Sequence, residues 1–337
     1  MITTAISKVT ERINLTRKET KRVFDEIMKG NCSEDEIVSF LIELTEKGET
    51  IEEIQGACES MREVSAKVKY LGEENLLDVV GTGGDNKNSF NISTVSAIIC
   101  AGAGCIVAKH GNRSVSSNSG SAEVFKTLGV NIETTFERNS EILSKIGLAF
   151  LFAPLHHPAM KYAIGARKKI GKRTIFNILG PITNPANANC YLLGAYSEDL
   201  AEKLANVLSG LNTKKALVVH GSGYDEACLT GKTIIFEVIN GKIDRKEITP
   251  EKFGIKQGGE EDLEVSGPEE SAKIIKEILS GKEQGAKRDV VLLNSGLAIY
   301  ASEKASSIAE GIELAKESID SGKALEKLNE LIKETMG

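Results

Sequence analysis

The chain passes from strand to loop to helix within Asp78-Val-Val-Gly-Thr-Gly-Gly-Asp-Asn-Lys-Asn-Ser-Phe-Asn-Ile-Ser-Thr94. Leu76, Leu77, Val79 and Val80 form an aliphatic run that stops at Gly81, as a buried strand does at the carboxyl end of a sheet. Gly81, Gly83 and Gly84 can adopt positive φ and let main-chain amides approach a ligand with no Cβ in the way. Asn91, Ser93 and Thr94 then precede the apolar run Val95, Ala97, Ile98 and Ile99, where good N-cap residues predict a helix start. Unpaired amides and the positive end of a helix dipole thus converge on one spot, which suits phosphate.

Two familiar phosphate loops do not fit. No Gly-x-x-x-x-Gly-Lys-Ser/Thr string occurs, and a dinucleotide fingerprint needs a third glycine where Asn86 stands. Asp85 speaks against bare phosphate, because a carboxylate repels it unless a cation or a sugar hydroxyl intervenes. A ribose phosphate with bound magnesium satisfies both features.

Outward from this stretch the pattern differs on the two sides. Residues 1–70 are helical in period, with Val23, Ile27 and Met28, then Ile37, Phe40, Leu41 and Leu44, then Ile51, Ile54, Ala57 and Met61 on apolar faces. Ser33 with Glu36 and Thr50 with Glu53 are capping-box pairs. Four short helices are expected, too few for a generous core of their own. From about residue 72 short apolar strands alternate with helices, at 76–80, 106–108, 149–152, 191–194, 216–220 and 233–238. The expected fold class is therefore α/β: a small N-terminal helical domain, residues 1–70, and a larger α/β domain, residues 71–337, with a mainly parallel central sheet flanked by helices. Part of 156–190 is a candidate to pack on the first domain. Gly81, Lys109, Pro154 and the Gly221–Glu226 stretch each follow a strand, so one shared site is expected beyond the strands' carboxyl ends. Residues 248–265 read as a polar surface excursion, and 269–281, 289–300, 304–319 and 321–335 as closing helices.

Composition narrows the partners. With 337 residues, 41% hydrophobic content and a net charge of −6, the chain can fill a sizeable core and carries no general basic field. Nonspecific nucleic-acid and acidic-membrane binding are disfavoured, and no apolar run approaches a membrane span, so a cytoplasmic protein is expected. The six cysteines show neither a Cys-x-x-Cys pair nor zinc-like spacing, and read as small buried residues, Cys228 included.

Three groups carry polar chemistry. Lys109-His110-Gly111-Asn112-Arg113 leads into a serine-rich run through Ser121, a set of hydroxyls, amides and two fixed positive charges suited to a polyanion or simply to a solvated loop. Asp225 and Glu226 are adjacent carboxylates that can hold a hard cation, or be solvated. Among His156, His157, Lys161 and Arg167, the guanidinium of Arg167 offers a fork for an aromatic carboxylate, or for a surface ion pair.

Six ordered segments, Gly-Thr-Gly-Gly-Asp (81–85), Asn-Ile-Ser-Thr (91–94), Lys-His-Gly-Asn-Arg (109–113), His-Pro-Ala-Met-Lys (157–161), Arg-Thr-Ile-Phe-Asn-Ile-Leu-Gly-Pro (173–181) and Asp-Glu (225–226), resemble the anthranilate phosphoribosyltransferase family of the nucleoside phosphorylase/phosphoribosyltransferase superfamily. The resemblance spans nearly the whole chain, and Lys-His-Gly-Asn-Arg separates this family from pyrimidine nucleoside phosphorylases. It implies transfer of the 5-phosphoribosyl group of phosphoribosyl pyrophosphate to the amine of anthranilate in tryptophan biosynthesis, by a homodimer with no nucleic-acid or membrane partner. It assigns phosphoribosyl pyrophosphate to Gly81, Gly84, Asp85, Ser89, Asn91, Ile92, Ser93, Thr94, Lys109, His110, Gly111, Asn112, Arg113, Ser114, Val115, Ser116, Ser117 and Ser121. Anthranilate falls to Gly81, Asn112 and Arg167, and two Mg2+ ions to Ser93, Asp225 and Glu226; no residue is assigned as acid or base. The chain departs from the family pattern at Glu123, where Asp is expected, at Gly165-Ala166 before Arg167, and in the loop before Asp225, which is one residue shorter and carries Tyr224.

Overall fold

The computed structural model describes residues 1–85, 87–113 and 119–337. They divide into two compact units, residues 1–67 with 153–187 and residues 68–152 with 188–337.

The first unit is helical. Of its helices Ile2–Thr10, Arg17–Lys29, Glu34–Lys47 and Ile51–Val64, the last three begin where side chains cap the free amides: Ser33 with Glu36 and Thr50 with Glu53, as the sequence predicts, and Thr16 with Glu19 as a third capping box. Their apolar faces bury Phe24, Ile27, Phe40, Leu41 and Leu44, each contributing on the order of 2–3 kcal/mol relative to exposure. Returning chain completes this core. Phe176 of the short helix Ile175–Leu179 lies 5.6 Å from Phe24, and the helix Lys161–Ile170 packs on Glu34–Lys47. Gly165, two residues before Arg167, lies on this face, where an added Cβ would meet the flexible end of the exposed Glu34 side chain.

The second unit is built on seven strands among the described residues: β1 (Leu76–Gly81), β2 (Ile106–Gly111), β3 (Leu148–Phe152), β4 (Cys190–Gly194), β5 (Lys215–Gly221), β6 (Thr233–Ile239) and β7 (Lys242–Ile248), in the order β3-β2-β1-β4-β5-β6-β7. The first five run parallel and are nearly continuous in buried apolar residues, as strands covered on both faces must be. The order reverses between β1 and β4, the switch point beyond which ligands bind in such sheets. The helix Ile92–Gly102 is apolar all round and is buried between β1, β2 and the helices Ala286–Ala301, Ile308–Asp320 and Lys323–Met336. No helix of the described residues is long and apolar enough to cross a membrane.

Two expectations need correction. The strand reading omits β7, whose Lys-Ile-Asp-Arg-Lys-Glu-Ile sequence is mostly exposed and paired only to β6. It is an edge strand, and edges carry charge that discourages further pairing. The signal was the Asn240-Gly241 pair, both at positive φ, which makes the tight hairpin turn between β6 and β7. Residues 248–265 are not a plain excursion either. Leu263 is buried, the Phe90 amide donates to the Leu263 carbonyl at 2.9 Å, and the Val265 amide donates to the Asn88 carbonyl at 3.0 Å. This segment braces the glycine loop, an assignment that long-range pairing makes and local polarity conceals.

Candidate active site

The glycine loop leaves β1 with Gly83 at φ +62° and Gly84 at φ +84°, while Gly81 does not use positive φ. A Cβ on Gly81 would instead stand 2.4 Å from Asp225 Oδ2, so this glycine is required by close approach. Ser89 forms an isolated bridge with Glu264. Asn91 caps the following helix: its Oδ1 accepts the Thr94 amide at 3.0 Å and the Ser93 hydroxyl at 3.2 Å. Its own amide donates to Ser271 Oγ at 2.9 Å, and its Nδ2 donates to the Ser119 carbonyl at 2.8 Å. Ile92 and Thr94 are buried, so what they offer outward is main chain at the helix N-terminus.

From β2, Lys109 points into the same region. Its Nζ donates to the Val79 carbonyl at 2.7 Å and to Ser93 Oγ at 3.3 Å. Burial pulls this lysine down to about 8, against the carboxylates of Asp78 and Glu226. His110 is buried and its amide donates to Asp78 Oδ1 at 3.1 Å. Gly111 ends β2, Asn112 and Arg113 are exposed, and Ser121 opens the helix Ser121–Leu128. Ser114, Val115, Ser116 and Ser117 lie outside the described residues.

From β5 comes the acid loop. Ser222 and Gly223 both have positive φ, and mutual hydrogen bonds between Gly221 and Tyr224 close a two-residue turn. It delivers Asp225, whose Oδ2 accepts the Gly83 amide at 2.6 Å. Asp85, Asp225 and Glu226 bring one carboxylate oxygen each within 4.8 Å of one another. Asp85 Oδ2 and Glu226 Oε2 are buried without a hydrogen-bond partner. Burial, and then the charge of Asp85, raises Asp225 above the usual carboxylate range; burial, and then the charge of Asp225, raises Glu226 well above it. Mutually repelling, desolvated oxygens with free lone pairs fit a hard divalent cation. Asp85 joins this cluster, which sequence reading assigned to Asp225 and Glu226 with Ser93. The signal was present in the mismatch between Asp85 and bare phosphate.

Beside the cluster Lys87 stands 5.0 Å over the Tyr224 ring and pairs with Glu260 at 2.6 Å. The unusual Tyr224 of the shortened loop is thus buried under a cation. Cys228 is buried as a free thiol. Arg167 belongs to the helical unit, half-buried, 5.4 Å from the Phe176 ring, and burial lowers its pKa. Among the described residues it forms no ion pair, while its neighbour Lys169 pairs with Asp35. His156 and His157 lie in the same unit, both buried, with His156 Nδ1 facing the Ala66 carbonyl at 3.1 Å.

A mainly parallel sheet with anion-ready amides and a carboxylate cluster beyond its strands' carboxyl ends suits an enzyme that acts on a phosphorylated substrate, and both parts of the chain match the glycosyl transferase class. Residues 3–65 match the glycosyl transferase family helical bundle domain and residues 73–325 the glycosyl transferase family a/b domain. The chain is 48% identical to anthranilate phosphoribosyltransferase of Geobacter sulfurreducens, over 98% of this chain and 99% of that one. It is similar to the crystal structure of anthranilate phosphoribosyltransferase from Thermus thermophilus, with a TM-score of 0.93 and 38% identity over 99% of both chains. The Saccharomyces cerevisiae enzyme in complex with PRPP and Mg matches with a TM-score of 0.91 and 29% identity, over 99% of this chain and 98% of that one. The chain belongs to the anthranilate phosphoribosyltransferase family.

Proposed function

We infer that the chain transfers the 5-phosphoribosyl group from phosphoribosyl pyrophosphate to the amine of anthranilate, yielding N-(5-phosphoribosyl)anthranilate and pyrophosphate, in tryptophan biosynthesis. The observation that carries this reading is the hydrogen bond joining Gly83 to Asp225, which sets phosphate-ready amides beside three carboxylates in a chain of this family. The bond from the anomeric carbon to pyrophosphate breaks, the bond from that carbon to the anthranilate nitrogen forms, and the nitrogen releases a proton to solvent. An arylamine is neutral near pH 7, so its lone pair attacks without a strong base. What the residues supply is position and charge.

The glycine loop, the Asn91–Thr94 helix start, Lys109–Ser117 and Ser121 are assigned to phosphoribosyl pyrophosphate, with Gly81, Asn112 and Arg167 on anthranilate. Arg167 suits the carboxylate because its fork makes two parallel hydrogen bonds and no carboxylate of the described residues claims it. Asp225 and Glu226, with Asp85, would hold magnesium, and a second ion would fall to Glu226 and Ser93; the yeast relative binds PRPP and Mg, and another of its structures holds 4-fluoroanthranilate. Bound magnesium supplies positive charge to the leaving pyrophosphate.

The remaining assignments are to quaternary structure and setting. Residues 1–70, joined in one compact unit by 153–187, serve as the helical domain and homodimer surface, and the remainder of 71–337 as the phosphoribosyl pyrophosphate-binding domain. Exposed Ile42, Ile51, Leu155, Tyr162 and Ile164 on the smaller unit support an apolar contact there. A cytoplasmic location is supported by the polyanionic substrate, which does not cross a lipid bilayer unaided. The test is to mix protein, anthranilate, phosphoribosyl pyrophosphate and magnesium and to follow anthranilate fluorescence. Its loss, dependent on all three, is expected; unchanged fluorescence with phosphate-dependent cleavage of uridine or thymidine would replace this reading by a nucleoside phosphorylase.

A further inference from the structure

Asn294 stands on the helix Ala286–Ala301, far in sequence from every site motif, and its side chain is buried. Its Oδ1 accepts the Ala227 amide at 3.0 Å, while its Nδ2 donates to the Ala227 carbonyl at 2.8 Å and to the Val290 carbonyl at 2.9 Å. A side-chain amide that takes both main-chain groups of one residue does what a neighbouring strand would do. Ala227 directly follows Asp225 and Glu226.

The acid loop has little of its own to hold that geometry. Its two-residue turn closes at Tyr224, and no regular element follows until β6. Beneath it the backbone of Asp225 rests on β4 so closely that a Cβ on Gly194 would stand 1.4 Å from the Asp225 carbonyl oxygen. The crowded carboxylates favour a loop that swings outward, because separation and solvent both relieve them. Something must oppose this, and the pair of bonds at Ala227 is placed to do so. Next to Asn294 on the same helix, Ser295 Oγ is buried with no partner, so burial at this level of the helix does not itself demand a bonded polar group.

We propose that Asn294 is a positioning residue for the metal-ligating pair: by holding both main-chain groups of Ala227 it keeps Asp225 and Glu226 turned toward Asp85 before a cation arrives. This rests on the reading that Asp225 and Glu226 ligate magnesium. Residues that orient metal ligands cost about 10–100-fold in metal affinity when removed, so Asn294→Ala should raise the half-saturating magnesium concentration at least ~10-fold. The rise in melting temperature that magnesium gives the substrate-free protein should shrink in parallel, and kcat should fall with the anthranilate KM unchanged. Ser295→Ala should respond to magnesium as the unaltered protein does.

The experiment compares unaltered protein, Asn294→Ala, Ser295→Ala and the double variant Asp225→Asn/Glu226→Gln in magnesium titrations of melting temperature and of rate. Hydrogen exchange of the Ala227 amide in unaltered, magnesium-free protein is the measurement that decides if Asn294→Ala does not fold. Slow exchange supports the proposal, and exchange that is fast until magnesium is added overturns it. A folded Asn294→Ala with unaltered magnesium midpoints also overturns it, provided the double variant has lost its response. If the double variant keeps its response, the magnesium reading itself falls and the role of Asn294 with it.

Discussion

The glycine loop and the acid loop meet at one hydrogen bond, from the Gly83 amide to Asp225 Oδ2, and they are built in opposite ways. The glycine loop carries its turns and its cap in its own sequence, with Gly83 and Gly84 turning the backbone, the Lys87 amide donating to Asp85 Oδ1 and Asn91 capping the helix it begins, and distant main chain at Leu263 and Val265 then braces it. The acid loop, after its local turn, is positioned by distant groups: Gly83 from β1, the bare face of Gly194 on β4, and Asn294 from a helix near the carboxyl end. A locally coded loop fails by losing its own conformation. A loop held from outside fails when any support moves, with its own residues intact.

The largest effect should come from the acid loop's own chemistry. Asp225→Ala combined with Glu226→Ala should lower kcat at least ~10²-fold, as loss of a major electrostatic element does. Near-normal turnover by the folded double variant across magnesium concentrations would remove that loop from the reaction and end the comparison.

Arg167 tests the anthranilate assignment, apart from either loop. If its fork holds the anthranilate carboxylate, replacement by Ala should raise the anthranilate KM roughly 30-fold, the loss of about 2 kcal/mol expected when one partner of a desolvated charge pair is truncated. Lys should recover only part, lacking the bidentate fork. Steady-state kinetics with each substrate varied would count against the assignment if both KM values rose equally.

A pair of glycine substitutions sharpens the contrast itself. In Gly194→Ala the added carbon lies 1.4 Å from the Asp225 carbonyl oxygen, so backbone must shift, an overpacking cost of about 1–3 kcal/mol that should appear as weaker magnesium dependence and lower kcat. In Gly83→Val the side chain meets open space but a φ of +62°, a strain of about 1–2 kcal/mol that should appear as weaker binding of phosphoribosyl pyrophosphate by calorimetry. Identical profiles for the two variants would mean that the loops are one mechanical unit.

The smallest effect on the reaction concerns stability of the helical unit. Burial pulls His157 from 6.5 down to about 4, with His156 and Lys67 acting in the same direction and the Thr183 main chain opposing. The unfolded chain therefore binds the extra proton first, so stability is full above the unfolded value and falls as pH drops from about 6.5 towards 4. Urea midpoints across that window should fall less steeply in His157→Gln, and parallel curves would show that other groups set the acid response.

The sequence by itself determined that a helical bundle precedes a larger α/β domain, the five strands that carry the sheet's parallel core, and the strand–glycine–helix unit at residues 76–102, because these depend on period, propensity and capping within a few residues; that residues 153–187 join the helical unit it left to the fold. It also pointed to Asp225 and Glu226 as a candidate pair, through a family resemblance more than through spacing. Three features were decided only by the tertiary structure. Asp85 joins the carboxylate cluster because β1 and β5 end side by side across β4, a neighbourhood that no local pattern encodes. Within residues 248–265, Leu263 and Val265 brace the glycine loop through main-chain bonds that polar side chains do not announce. Asn294 reads in sequence as one more polar residue on a mostly buried helix, and its partners lie 67 residues away. Carboxylates that repel one another gain little from staying together by themselves, and here Gly83, Gly194 and Asn294, all distant in sequence, set where Asp225 and Glu226 lie, so their arrangement is written across the fold.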